Sequence, residues 1–244
     1  MTHPTTQPAT RPIARHVLTG ATSGIGAVLA RTLAQRGDGL VLLARGEPSA
    51  AALAAGFPEA QVLLADLADP GTLNGIGRRV DGDVHSLIHV AGVVDLAPVS
   101  RLRLHEWEEQ IAVNLTSPAV LTRELLPHLR RTRGTAMFVN SSAGLTANAD
   151  WSAYAASKFG LRALADALRA EEIENGVRVT TVYPSRTATP MQEKVHEQEG
   201  RTYDSTRWIS AETVVSTILH VLDLPPDATI PDVTVRPVTP RPGT

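Results

Sequence analysis

The sequence predicts an α/β protein built on a doubly wound parallel sheet of about seven strands, with helices on both faces as a three-layer sandwich. Three observations carry that expectation. Short apolar runs recur along the chain, stretches of helical periodicity separate them, and a glycine-rich turn joins the first run to the first helix. Strands that are apolar throughout, rather than alternating, belong to parallel sheets covered on both sides.

In chain order the expected strands lie at 17–19, 40–43, 61–65, 84–90, 135–139, 177–182 and 232–236. An Ala/Leu-rich helix at 27–36 follows the first, and Gly37-Asp-Gly39 turns the chain into the second. Asp69-Pro70 reads as a helix N-cap with proline at the first helical position. A long helix is expected over 106–131. Another carries Tyr154 and stops at Asn175-Gly176, where glycine suits a C-cap. Ser210 caps a last helix that runs to about 222. No repeat or internal linker interrupts the pattern, so 13–244 reads as one domain. Residues 1–12, with three prolines and no apolar core, read as a disordered leader. The polar stretch 186–207 follows the sixth strand and reads as a lid over substrate.

Composition narrows the function. Of 244 residues 43% are hydrophobic, enough for a sizeable core, and the net charge of −2 gives no footprint for nucleic acid or an anionic membrane. No apolar run approaches the roughly 20 residues that span a bilayer. With no cysteine the chain has no disulfide, thiol nucleophile or thiolate metal site, and it fits a reducing cytoplasm. The eight histidines show no metal-binding spacing, so no metal is expected.

Two motifs carry chemistry. In Thr19-Gly20-Ala-Thr22-Ser23-Gly24-Ile25-Gly26 the glycines lack Cβ, so backbone can turn tightly and approach a pyrophosphate at a helix N-terminus. Thr19, Thr22 and Ser23 add hydroxyls. Downstream, Tyr154 and Lys158 sit one helical turn apart and share a face, with Ser141 thirteen residues earlier. A phenol of pKa about 10 is a poor proton shuttle at neutral pH. A cation within about 4–6 Å lowers it by about 1–3, worth roughly 1.4–4 kcal/mol, and creates a general acid/base. Only two of the 23 cationic side chains are lysine, and one is Lys158.

Taken together, Thr19-Gly20-x-x-x-Gly24-Ile25-Gly26, Asn114, Ser141 and Tyr154-x-x-x-Lys158 resemble the short-chain dehydrogenase/reductase family, and the likeness runs on to Tyr183-Pro184 and Thr189-Pro190. The resemblance implies a Rossmann-type fold and an oxidoreductase interconverting a carbonyl compound and its alcohol. Tyr154 would exchange the proton, Ser141 (rather than Ser142) would hold the substrate oxygen, and Lys158 would also meet the nicotinamide ribose. Asn114, odd inside a helix, would anchor a proton-relay water, or else be a buried amide satisfied by backbone. Asp66 and Leu67 are expected at the adenine, Ala91 and Gly92 beside the adenosine ribose, Pro184 and Thr189 at the nicotinamide, with Thr187 the alternative to Thr189. Ala44 stands where an NAD-preferring relative carries an acid, and Arg45 can grip a 2′-phosphate, so NADP(H) is expected over NAD(H).

Two departures stand out: His89-Val90 replaces the usual Asn-Asn, and Ser185 replaces a glycine. Val93, Val94, Leu145, Trp151 and Met191 are candidates for an apolar substrate pocket, each equally a candidate for the core. Arg186 and Arg207 read as solvated charges, with contact to a substrate carboxylate as the alternative. A homodimer or homotetramer is implied through the helices bearing Asn114 and Tyr154. Two rival functions share the scaffold. An epimerase or dehydratase would want a larger substrate region than follows Tyr183, and a nucleotide-sensing protein would have lost the acid/base pair.

Overall fold

The computed structural model describes residues 13–238; the expected leader lies outside them. Seven parallel strands form one sheet: β1 (Arg15–Leu18), β2 (Gly39–Ala44), β3 (Gln61–Leu64), β4 (Ser86–His89), β5 (Thr135–Val139), β6 (Arg178–Pro184) and β7 (Asp232–Val235). Their spatial order is β3-β2-β1-β4-β5-β6-β7, the doubly wound arrangement that the sequence predicts. The order reverses between β1 and β4, and that switch point opens a crevice at the carboxyl ends of the strands.

Alternate residues of each strand face opposite sides, and this splits the core in two. Val17, Val41, Leu87 and Phe138 pack under α4 (Ser117–Thr132) and α5 (Ser152–Glu172). Their neighbours Leu18, Leu42, Ile88 and Met137 pack under α1 (Gly24–Gln35), α2 (Glu47–Gly56) and α7 (Ala211–Leu222). Both faces of the central strands are therefore apolar, which is why those strands do not alternate in the sequence; the edge strand β7 does, with Asp232 and Thr234 exposed.

Several elements differ from expectation. Helix α2 is unanticipated because its Ala-rich sequence buries only Leu53 and so has almost no amphipathic period. The Asp69-Pro70 signal yields a single 3₁₀ turn, Pro70–Leu73, in which the Asp69 carboxylate accepts from the Gly71 N–H. The long helix is two helices, α3 (Leu104–Ile111) and α4, joined by a π turn at Ala112–Thr116 that contains Asn114. The polar stretch after β6 holds α6 (Pro190–Gln198), whose buried side is largely polar: Gln192, Val195 and His196. No described helix is long and apolar enough to cross a membrane.

Past the end of β4, the Val90 side chain offers no hydrogen bond, and packs instead with the core cluster under α1 and α7. The buried Thr19 hydroxyl accepts from the Val90 and Ala91 N–H groups, each at 3.1 Å, and so ties β1 to that loop. Thr19→Val orphans both donors. It is expected to cost about 2–6 kcal/mol, at the lower end because both donors are only partly buried and each unmet donor costs about 1–3, read as a fall in Tm of about 2–4 °C per kcal/mol.

Candidate active site

The cleft at the switch point has a volume of about 960 Å³. Its first end is the turn between β1 and α1. Gly20 has φ +76°, and a Cβ there would lie 2.8 Å from the Ala91 nitrogen; at Gly26 one would lie 2.1 Å from the Gly20 carbonyl oxygen. Neither position tolerates a side chain. Ser23 caps α1 without a side-chain bond, so Thr22, Ser23, Gly24 and Ile25 line the cleft at a helix N-terminus. A backbone cradle with no Cβ and a positive dipole end is suited to a pyrophosphate. Thr19, by contrast, spends its hydroxyl on backbone and does not line the cleft.

Along the strand ends lie Arg45 after β2, Asp66 and Leu67 after β3, and Ala91 and Gly92 after β4, all on the cleft wall. Arg45 is exposed, and Ala44 before it is buried. One Asp66 carboxylate oxygen accepts from its own loop, at the Ala68 N–H. Pro184, Thr187 and Thr189 close the wall beyond β6. Thr189 is also the N-cap of α6, accepting from the Gln192 N–H, while the Thr187 hydroxyl donates to the Ser185 carbonyl at 2.9 Å.

Ser141, Tyr154 and Lys158 meet at the second end of the cleft. Ser141 ends β5's extension and caps a 3₁₀ turn, its hydroxyl accepting from the Ala143 N–H. The Lys158 Nζ lies 5.7 Å from the Tyr154 ring centroid and donates to the Val139 carbonyl at 3.2 Å. Asn140, which the sequence reading passed over, clamps this corner. Its amide donates to the Lys158 carbonyl and its oxygen accepts from the Ser141 N–H, at 3.0 and 2.8 Å. Its only signal was an asparagine at the end of an apolar strand.

The ionisation state corrects the expectation from spacing. Burial pushes the Tyr154 phenol up to about 12, against a smaller opposing effect from its hydrogen bond with Ser141. Burial also brings Lys158 down to about 8. The ammonium sits by the ring rather than as a dominant partner of the hydroxyl, so desolvation outweighs the Coulombic pull. In this state the phenol is a neutral acid.

Asn114 is the one expected catalytic residue that does not line the cleft. Its oxygen accepts from the Val93 N–H, and its amide donates to the Val93 carbonyl and to Ser157 Oγ, at 2.9, 2.9 and 3.0 Å. The side chain is thus satisfied by backbone and a neighbour. It still abuts the centre: a Cβ at Gly92 would sit 3.2 Å from Asn114 Oδ1 and 3.7 Å from Lys158 Nζ. His89 stacks on Phe138 at 4.8 Å and pairs with Thr122; burial, then the Lys158 charge, brings it down to about 3, so it stays neutral.

Of the expected apolar pocket, Val93, Val94, Trp151 and Met191 line the cleft and Leu145 does not. Trp151 meets Tyr154 edge-on, with ring centroids 5.8 Å apart. Arg207 is exposed. Arg186 is no solvated charge: it is largely buried in the cleft wall and paired with Glu199. Among the described residues no cluster of acidic and histidine side chains could hold a metal ion.

A backbone cradle suited to a pyrophosphate and the buried Ser141–Tyr154–Lys158 corner thus lie at opposite ends of one crevice. Comparison with known proteins identifies the class. Residues 15–200 match the family model for short chain dehydrogenases. A D-β-hydroxybutyrate dehydrogenase of Rhizobium meliloti is 32% identical over 214 residues, covering 83% of this chain and 81% of the relative. A D-threitol dehydrogenase of Mycolicibacterium smegmatis is 32% identical over 186 residues, covering 73% and 72%. The structure of a short-chain dehydrogenase from Escherichia coli CFT073 complexed with NADPH superposes with a TM-score of 0.83 at 26% identity, covering 94% of this chain and all of that one. The chain belongs to the short-chain dehydrogenase/reductase family and is an NAD(P)-dependent oxidoreductase acting on CH–OH groups.

The opposite shifts of the two buried groups make stability depend on pH with opposite signs. Lys158 titrates lower in the folded chain than its ordinary 10.5, so between pH 8 and 10.5 the unfolded chain binds more protons and stability climbs. Tyr154 titrates higher than its ordinary 10, so the unfolded chain ionises first and stability is lost as pH rises from 10 to 12. Denaturant titrations of cofactor-free protein are expected to show Lys158→Met flattening the climb between pH 8 and 10 by about 2 kcal/mol. Tyr154→Phe should flatten the fall above pH 10.

Proposed function

We propose that the protein is an NADP(H)-dependent oxidoreductase that interconverts a ketone or aldehyde and its alcohol, with Tyr154 as the general acid/base. The observation that carries this reading is the corner formed by Ser141, Tyr154 and Lys158 at one end of the cleft that begins at the Gly20–Gly26 turn. In the reductive direction the neutral phenol donates its proton to the carbonyl oxygen while Ser141 holds that oxygen as charge develops. The tyrosinate so formed is stabilised by Lys158, whose charge costs least when an anion stands beside it. The bound nicotinamide supplies or accepts the hydride. Gly20, Thr22, Ser23, Gly24, Ile25 and Gly26 would hold its pyrophosphate, Asp66, Leu67, Ala91 and Gly92 its adenosine half, and Pro184 with Thr187 or Thr189 its nicotinamide. Asn114 acts as a positioning residue that fixes the Val93 backbone against α5.

Arg45, exposed on the cleft wall after a β2 that ends in Ala44 rather than an acid, supports NADP(H) over NAD(H). The NADPH in the Escherichia coli relative points the same way. The stretch 186–207, including α6, closes the substrate end as a lid. Self-association through α4 and α5 is part of this reading, and Phe159, exposed on α5, supports it. The named relatives act on an anionic hydroxy acid and on an uncharged polyol, which brackets the substrate.

Absorbance of the reduced nicotinamide against a panel of carbonyl compounds and alcohols tests the proposal. Tyr154→Phe is expected to lower turnover by about 10²–10⁴-fold; unimpaired turnover would remove the acid/base assignment. Arg45→Asp is expected to lower the NADPH/NADH ratio of kcat/KM by about tenfold or more, the scale of one charge-assisted hydrogen bond.

A further inference from the structure

The wall of the cleft nearest the expected lid is organised round Arg186. Its Nη1 and Nη2 donate to the two oxygens of Glu199 at 2.9 and 2.5 Å. Both side chains are mostly buried, 16% and 15% exposed. The guanidinium carbon lies 5.7 Å from the Trp151 ring centroid and 5.6 Å from that of Trp208, so one cation bridges two indoles. Trp208 packs in turn against His196 of α6 at 5.1 Å, and Trp151 against Tyr154. Arg186, Trp151 and Trp208 all line the cleft.

We propose that the Arg186–Glu199 pair is a specificity device that holds Trp151 and Trp208 as flat walls and selects an uncharged carbonyl compound or alcohol with an apolar or aromatic body over a carboxylate-bearing one. The inference rests on the oxidoreductase reading and names its substrate class. Glu199 takes the Nη1–Nη2 edge of the guanidinium and offsets its charge, so a substrate carboxylate would gain the full ion pair with Arg186 only by displacing Glu199. That would leave a largely buried carboxylate with the 3.8 Å approach of Arg201 as its remaining contact in this cluster, an unfavourable exchange. An anion that left the pair intact would reach only a guanidinium whose charge Glu199 already offsets. The other cations on the cleft wall do not substitute: Lys158 serves the phenol, and Arg45 and Arg236 are exposed, where water and salt screen them. Val93, Val94, Met191 and Val195 complete an apolar lining beside the indoles.

Acetophenone and 4-acetylbenzoate, one skeleton with and without a carboxylate, test the device. Binding is read as quenching of tryptophan fluorescence in the NADP⁺-loaded protein, with Trp107→Phe removing the indole on α3. Turnover with NADPH is measured in parallel. Acetophenone is expected to bind at least about tenfold more tightly. Glu199→Gln is expected to close that gap by a similar factor as the guanidinium becomes available. Arg186→Lys, which keeps the charge but loses the fork, should weaken acetophenone binding. Equal or tighter binding of 4-acetylbenzoate by the wild-type protein overturns the proposal, as does an unchanged ratio in Glu199→Gln or no quenching by either compound. Binding in the expected order without any NADPH oxidation would instead count against the oxidoreductase reading and leave the wall's selectivity standing.

Discussion

Tyr154 and Lys158 are packed side by side on α5 against the end of β5, and the shortage of water around them sets the charge state of the whole corner. A buried phenol resists ionisation and a buried amine resists protonation, so each is held towards neutrality by the same cause. Whatever charge develops there has to be matched by a partner inside the protein. That explains the density of backbone contacts about the pair: Val139 receives the ammonium, and Asn140 fixes both the Lys158 carbonyl and the Ser141 amide. The parallel sheet supplies the geometry, because β5 ends and α5 begins where the strand ends open into the crevice.

Much of this was legible in the chain, and the reasons are local. Strand positions followed from uninterrupted apolar runs, and the first turn from glycines whose missing Cβ atoms are required by contacts of 2.8 and 2.1 Å. The four-residue spacing put Tyr154 and Lys158 on one face, but spacing carries no information about burial, which here sets the direction of the tyrosine shift. Helix α2 was hidden because a run of alanines around a single buried leucine has no period to detect. The Arg186–Glu199 pair was hidden for another reason. Its partners are joined only when α6 brings Glu199, just past its end, back to Arg186, and nothing near either residue in sequence announces the other.

The departures from the family pattern are absorbed by neighbours rather than by the chemistry. At Val90 the backbone is still held, because its N–H and that of Ala91 donate to the Thr19 hydroxyl beside β1. His89 remains a neutral, stacked side chain whose ring pairs with Thr122.

The π turn at Ala112–Thr116 has a consequence for how this chain can change over time. Each residue in a helix advances the side chains by about 100°, so one extra residue in a turn resets the phase of everything that follows it. Asn114 reaches Val93 and Ser157 only because α3 and α4 are out of step with each other. Losing a single amino acid there would let the two helices merge into a straight rod and swing the amide away from both. Length variation is therefore cheap in the surface loops and costly at this bend, which acts as a fixed phase mark between the two halves of the sheet.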